Sequence, residues 1–397
     1  MAPESTPFLC LAMIGAMAIT ATALLRVWPN LLSSSTGANP KYVSIAGLRG
    51  LLASSVFVHH AQVSRIYFRD GAWMEPQSTI YAFAGTGSVG VFFMITGFLF
   101  WGKALDGRVQ FLSLIESRAR RILPLYMLSF LIITVVCAYD SNFSIATTWE
   151  DLYLSIFAWL GAGLFGHPAI NGVGTLTINC GVTWTLQYEW IFYLLLPLIA
   201  ALSSPQWFAI LVSVFLITVL GLKKLGYQAE YQALVVSVPF IGGMLAAYAV
   251  RLRSGVKFLP SAFLVSVFVA TSFVVAALAY KPGYYTLIGI ALFPAFCAIA
   301  LGNDVFGLLR QRWVRFLGEI SFSVYLLHGI ILMGALSAIG RFVSVGRISY
   351  FVFVLVCAAL SATVVLTSTA SFLLVERRYM KRRVSVLEVH AHSQTEG

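Results

Sequence analysis

Charge is scarce in this sequence: 10% of its 397 residues are Asp, Glu, Lys or Arg, against about 25% in soluble domains. A surface with so few charges is not made for water, which excludes an ordinary soluble enzyme. Cysteine is scarce too. Cys10, Cys137, Cys180, Cys297 and Cys357 are scattered without a CxxC pair, and four of them lie in or beside apolar runs, where cysteine behaves as a small hydrophobe. This spacing argues against a disulfide framework and against a metal site. Also missing are an internal repeat of the kind that marks inverted transporter halves and an appended soluble catalytic domain.

What fills the chain is apolar. Hydrophobic residues make up 59% of it and the mean hydropathy is +0.87. They fall into runs near the ~20 residues that span a hydrocarbon core, separated by polar or basic punctuation. Spans are predicted near 44–62, 87–102, 122–139, 184–202, 207–222, 232–250, 260–280, 284–302, 317–338 and 349–375, after an N-terminal run from Pro7 to Leu25. No Lys or Arg precedes that first run, whereas Arg26 and Lys41 follow it, the reverse of a secretory signal's charge order. It is expected to stay attached as an extra helix with its N-terminus outside. The fold class is therefore an all-α polytopic membrane protein, a bundle of about ten core transmembrane helices plus one. Three segments are expected: residues 1–40 as the extra helix and linker, 41–380 as the membrane domain, and 381–397 as a short basic then polar tail. The apolar stretch Leu152–Phe165 is short and begins after Glu150 and Asp151, so it reads as an interfacial or re-entrant segment.

The formal net charge of +11 raises the question of nucleic acid, and topology answers it. Alternating the spans places eighteen basic residues on one side: Arg26, Lys41, Lys103, Arg108, Arg118, Arg120, Arg121, Arg251, Arg253, Lys257, Arg310, Arg312, Arg315, Arg377, Arg378, Lys381, Arg382 and Arg383. Seven fall on the other: Arg65, Arg69, Lys223, Lys224, Lys281, Arg341 and Arg347. The positive-inside rule makes the richer side, and with it the C-terminus, cytoplasmic. The basic excess needs no nucleic-acid partner.

Ionisable residues inside spans cost about 2.5–3.5 kcal/mol each on insertion scales and are functional candidates by default. Arg49 and His60 lie in one predicted helix, eleven residues apart. At about 100° per residue they fall within about 20° of the same face, about 16 Å apart along the axis, and His59 does not share that face. A pantetheine arm bridges such a gap. Arginine suits phosphate or carbonyl recognition through its planar fork, and imidazole titrates near neutrality and takes a proton from an attacking hydroxyl. The bland alternative is an arginine that snorkels to the interface and a histidine hydrogen-bonded to a neighbouring helix. Arg118, Arg120 and Arg121, just before Ile122-Leu-Pro-Leu-Tyr126, form a phosphate-sized cluster at a helix entrance, or a plain positive-inside anchor. Glu189, in Trp184–Tyr193, is expected about two turns below the outer surface near His60, to orient the imidazole, bind acceptor hydroxyls or pair with a structural arginine. Ser321, Tyr325 and His328 recur at helical spacing and are expected to face the interior. Glu376, beside Arg377 and Arg378, reads as an anchor.

Taken in order, these segments resemble the acyltransferase family 3 membrane proteins, the glycan O-acetyltransferases, from about Tyr42 to Arg378. The resemblance is carried by the Arg49–His60 spacing, Phe92-Phe-Met-Ile-Thr-Gly-Phe98, Arg118–Tyr126, Trp184–Tyr193 with Glu189, and Ser321–His328 followed by Val375-Glu376-Arg377. Thr96 stands where the family usually has Ser, which keeps the hydroxyl, and Gly90 where an acidic or polar residue often precedes the Phe pair. The resemblance implies ten core helices, acyl-CoA as co-substrate with no permanently bound cofactor, and a carbohydrate or lipid-linked glycan acceptor modified at or across the membrane. It implies Arg49 and His60 as the essential pair, with Arg118 and Arg121 on the donor side. The expected site is thus His60, Arg49 and Glu189 for catalysis, Arg118, Arg120, Arg121 and Tyr126 for the donor, and Thr96, Ser321, Tyr325 and His328 as accessory groups, with no metal. The expected enzyme is an acyl-CoA-dependent O-acyltransferase, acetyl foremost, of a bacterial inner membrane, with membrane lipid around it. Direct transfer and a covalent acyl-enzyme on His60, Tyr325 or Ser321 both remain open. The alternative is a lipid or polysaccharide transporter with an intramembrane Arg/His/Glu pathway.

Overall fold

The computed structural model describes residues 7–32, 40–107, 110–252, 261–281 and 285–379. Arg108, Arg253, Lys257, Lys381, Arg382 and Arg383 of the basic side, and the tail expected over 381–397, lie outside the described residues. Within them the chain is helical, and it has no strand. The helices are α1 (Phe8–Val27), α2 (Pro40–Asp70), α3 (Thr79–Leu105), α4 (Phe111–Asp140), α5 (Trp149–Leu160), α6 (Leu176–Asn179), α7 (Trp184–Ala200) and α8 (Pro205–Leu225). The second half adds α9 (Gln228–Val235), α10 (Val238–Leu252), α11 (Ala262–Leu278), α12 (Tyr285–Ala300), α13 (Arg312–Glu319), α14 (Ser321–Gly340) and α15 (Tyr350–Ser371). A π-helical turn over Phe372–Glu376 ends α15.

Among the described residues, seven helices are long and apolar enough to cross a membrane: Phe8–Val27, Thr79–Leu105, Phe111–Asp140, Pro205–Leu225, Gln228–Leu252, Ser321–Gly340 and Tyr350–Tyr379. Two more, Ala262–Leu278 and Ile290–Ala300, are apolar but shorter. Their outward faces confirm the solvent. On α8 the exposed side chains are Trp207, Ile210, Val214, Ile217 and Leu220, a surface that lipid covers and water does not. The chain is an all-α integral membrane protein.

The longest helix is also among the least apolar. α2 runs for 31 residues, and Ser44, Ser54, Gln62, Ser64 and Arg65 along it are all buried. It tolerates them because it packs against protein: α1, α3, α12, α13 and α14 surround it. Backbone contact fixes the position of its first half. A Cβ on Gly50 would sit 2.5 Å from the Val314 carbonyl oxygen, and one on Gly318 only 1.9 Å from that of Ala46. Only glycine permits α2 and α13 to approach this closely. On the far side α3 packs on α10, α7 and α12, with Phe93, Phe240 and Phe192 stacked in a row at centroid distances of 4.4 and 4.8 Å.

α1 packs against α15, α13 and α2. Leu9, Met13, Met17, Ala21, Leu24 and Leu25 form its buried stripe at helical spacing. The short segment expected to be interfacial or re-entrant forms α5, capped by the Thr148 hydroxyl, which accepts from the Asp151 amide. After it the chain turns inward. Asn179, Val182, Thr183 and Thr185 are all buried, so α7 begins inside the protein rather than at its surface.

Candidate active site

The first eleven-residue interval of α2 that carries chemistry is intact in one continuous helix, with Arg49 and His60 at its ends. Each end meets a different set of neighbours.

At the His60 end, His60 Nδ1 lies 2.9 Å from His328 Nε2, and the rings are stacked at 5.1 Å. His328 is wholly buried, and its Nδ1 is 2.9 Å from the Val324 carbonyl. These contacts set the tautomers of two neutral rings. A carbonyl can only accept, so His328 Nδ1 carries the hydrogen and its Nε2 offers a lone pair. His60 Nδ1–H donates to that lone pair, which leaves Nε2 of His60 as the basic nitrogen. His328 thus orients His60 in the way a third group orients the base of a catalytic triad. The helical spacing of Ser321, Tyr325 and His328 did point inward, but the pairing of His328 with a residue 268 positions away left no local signal.

At the Arg49 end a cavity of about 730 Å³ opens among α2, α3, α4, α7, α10 and α14. Its mouth carries Lys103, Asp106 and Arg251, the last two paired at 3.3 Å. Deeper in stand Arg49, Arg118, Arg121, Glu189, Tyr193, Thr96 and Ser321, and its inner wall includes Phe92, Thr185 and Tyr325. Five basic side chains against two acidic ones line it, so it favours an anion. Arg118 lies over the Phe100 ring at 4.8 Å and near that of Tyr193 at 6.0 Å. Tyr193 donates to Glu189 Oε2 at 2.9 Å. Among the described residues, Arg118 Nε, Ser321 Oγ and Glu376 Oε2 are buried without a hydrogen-bond partner. Such atoms in a native fold call for an explanation, and a polar ligand is one.

Several expectations need correction. Glu189 does not sit beside His60. It shares the cavity wall with Arg49, Arg118 and Arg121 and interacts electrostatically with all three. The reason is the buried start of α7: two turns from a helix that begins inside the protein reach the arginine level. Arg120 is not in the cavity either; its side chain is 41% exposed and paired with Glu116. Arg118 and Arg121, three residues apart, share a face of α4, whereas Arg120 is turned about 160° from Arg118. Tyr126 lies on another face, buried, its hydroxyl donating to the Trp159 carbonyl at 2.8 Å. It tethers α5 and does not line the cavity.

Glu376 is the residue that sequence reasoning placed too far out. The π turn directs it inward, where it is 1% exposed, accepts a hydrogen bond from Ser323 and interacts with Arg121 and Arg49. π turns recur at functional sites, but nothing in Val375-Glu376-Arg377 announces one. The arginine end is thus a network of three guanidinium groups and two carboxylates from α2, α4, α7 and the end of α15.

One partition separates the two ends. Tyr325 lines the cavity, and its ring is 6.2 Å from that of His328. Its hydroxyl donates to the Val182 carbonyl at 3.0 Å and meets the Thr185 hydroxyl at 3.0 Å. Among the described residues no group of three or more His, Cys, Asp or Glu side chains is placed to hold a metal ion.

A helical membrane bundle with an anion-favouring cavity on one side of a half-buried, oriented histidine fits a membrane-embedded group-transfer enzyme. The family model described as an acyltransferase domain, acyltransferase family 3, matches residues 42–367. The chain belongs to this family and is an acyltransferase by its domain. No curated protein and no solved structure matches it. The match leaves α1 outside and takes in every residue of the site except Glu376.

The geometry separates the arginines experimentally. Arg121→Ala should raise the half-saturating concentration of the acyl donor at least tenfold, since it removes a half-buried charge that Glu376 and Glu189 face. Arg120→Ala should change it less than twofold, because an exposed i,i+4 ion pair contributes about 0.3–0.5 kcal/mol. Equal effects from both would show that Arg120 turns into the site.

Proposed function

We propose that the protein transfers an acyl group, acetyl foremost, from acyl-CoA to a hydroxyl of a carbohydrate or glycolipid acceptor in a bacterial inner membrane. The observation that carries this reading is the single helix α2, which holds an arginine in a cation-rich cavity and, about 16 Å along its axis, a histidine whose basic nitrogen is set by His328. The cation-rich mouth receives the phosphates of coenzyme A from the cytoplasmic side, where the basic residues and the C-terminus are placed by the charge bias. Arg118 and Arg121 pair with these phosphates, and Arg49 receives the inner part of the donor. The thioester arm extends past Phe92 and Tyr325 toward His60.

In the transfer step His60 Nε2 takes the proton of the acceptor hydroxyl as its oxygen attacks the thioester carbonyl carbon. The tetrahedral intermediate collapses with cleavage of the C–S bond, and the leaving thiolate takes the proton from the His60 imidazolium to give free CoA. His328 keeps the ring in the tautomer that leaves Nε2 open. Membranes containing the protein should release one free CoA thiol for each ester formed on the glycan. Glycan movement across the membrane without thiol release would favour a transporter.

A further inference from the structure

A second cavity, of about 300 Å³, lies on the other side of the histidines. It is lined by His59, Val63, Trp73, Met74, Glu75, Thr86 and Tyr280, and it shares no residue with the large cavity. His59 forms its inner wall and is the sequence neighbour of His60, with ring centroids 5.0 Å apart in an edge-on arrangement. The histidine pair thus stands between two openings. Tyr325 bounds it toward the cation-rich cavity and His59 toward this one.

The two cavities differ in chemistry. No Lys or Arg lines the smaller one, so nothing there pairs with a phosphate. Its polar groups are arranged to accept. His59 Nδ1–H is committed to the Tyr81 carbonyl at 2.9 Å, which leaves Nε2 of the neutral ring as an acceptor. Glu75 Oε1 accepts from the Tyr280 hydroxyl at 3.1 Å, and a carboxylate has about four acceptor positions. Partial burial of its carboxyl raises Glu75 above its ordinary value, opposed by that hydrogen bond. Aromatic surface completes the wall: Trp73 is held against Tyr67 at 5.9 Å and Tyr280 against Phe83 at 6.2 Å. A pyranose ring has the complementary character, hydroxyl donors around its edge and a C–H face that packs on aromatic rings. The volume is at the lower end of small-molecule sites, about 300–1,000 Å³, and suits one sugar ring with the remainder of a glycan outside. Met74 and Glu75 are exposed, so the cavity communicates with its own side of the membrane.

We infer that this cavity is the acceptor subsite, binding a neutral sugar ring between Trp73 and Tyr280 with Glu75 and His59 accepting its hydroxyls, so that one hydroxyl reaches His60. The inference rests on the proposed acyl transfer for its catalytic meaning, but the sugar site itself does not. Donor and acceptor then enter from opposite sides and meet at the histidine pair without sharing a binding surface.

The test uses the full chain in lipid nanodiscs free of glycoside detergents. Three quantities are measured for wild type, Trp73→Ala and Glu75→Gln: acyl-CoA affinity, the glycan KM for transfer, and photolabelling by a diazirine-bearing methyl hexoside mapped to peptides. Trp73→Ala should raise the glycan KM at least tenfold, leave acyl-CoA affinity within twofold, and abolish labelling of residues 73–86. Glu75→Gln should raise the KM several-fold with the donor again unaffected, which also certifies the fold. An unchanged glycan KM with unchanged labelling in Trp73→Ala would overturn the assignment, as would an equal loss of donor affinity. Should wild type transfer no acyl group at all, the proposed function fails, and the labelling decides the site alone. Label over 73–86 that Trp73→Ala removes keeps it as a sugar site; no label there overturns it.

Discussion

Transfer by His60→Ala should fall about 10²–10⁴-fold, the range supplied by a positioned general base, with little change in acyl-CoA affinity. The split follows from where the residue stands. His60 does not line the cation-rich cavity, so the donor keeps its phosphate partners when the imidazole is gone. On the proposed mechanism, what is lost is the acceptor for the hydroxyl proton and the group that returns it to the leaving thiolate. His328→Ala should produce a smaller loss, because His60 retains both nitrogens but loses the partner at 2.9 Å that sets its tautomer. His328→Gln, whose side-chain amide offers both a donor and an acceptor, should recover part of that loss. A purely structural role for His328 would not distinguish alanine from glutamine in this way. Rates measured in membranes with expression matched by quantitative blotting give all three comparisons.

Arg49→Ala should be nearly as severe, but through the donor. Arg49 is one of three guanidinium groups facing Glu189 and Glu376, and it is the only one carried by the helix that also holds His60. Its removal leaves the half-buried Glu189 and the buried Glu376 with fewer countercharges and, on the proposed mechanism, deletes a charged hydrogen-bond partner of the donor, a loss of about 1.5–3 kcal/mol. At about 1.4 kcal/mol per tenfold, acyl-CoA affinity should drop by roughly one to two powers of ten. Lysine should not restore it. The ammonium is a compact point charge and cannot reproduce a planar fork that meets several oxygens at once. The double variant Arg49→Ala with Glu189→Gln should recover part of the binding, since it removes an orphaned charge together with its partner. Recovery absent from the double variant would place Glu189 outside the arginine network.

The sequence foretold the bundle well because the hydropathy signal is long and the solvent is unambiguous. Every predicted span has a helix beneath it, including the segment around 44–62, whose apolar run marks the middle of α2 although that helix is too polar to qualify as a span by composition. That face could be computed from 3.6 residues per turn because α2 has no break. Depth was less accessible. Counting turns for Glu189 from an assumed surface failed because the buried run Asn179–Thr185 starts α7 inside the protein. Grouping Arg120 with its neighbours failed for a simpler reason, as adjacency in sequence is not adjacency on a helix. The inward turn of Glu376 depends on a π-helical step, and the His60–His328 contact on the packing of α2 against α14; neither leaves a local mark. The smaller cavity was beyond reach because its walls come from α2, the loop after it, α3 and the segment after α11.

The account holds that one end of α2 binds the donor and the other performs the proton transfer. The measurement that tests this most directly supplies radiolabelled acetyl-CoA and host envelope glycans to membranes containing wild type, Arg49→Ala or His60→Ala, and follows both bound donor and labelled glycan. Label should enter glycan with wild type alone, while His60→Ala still binds acetyl-CoA and Arg49→Ala does not. Full glycan labelling by His60→Ala at matched expression would contradict the account.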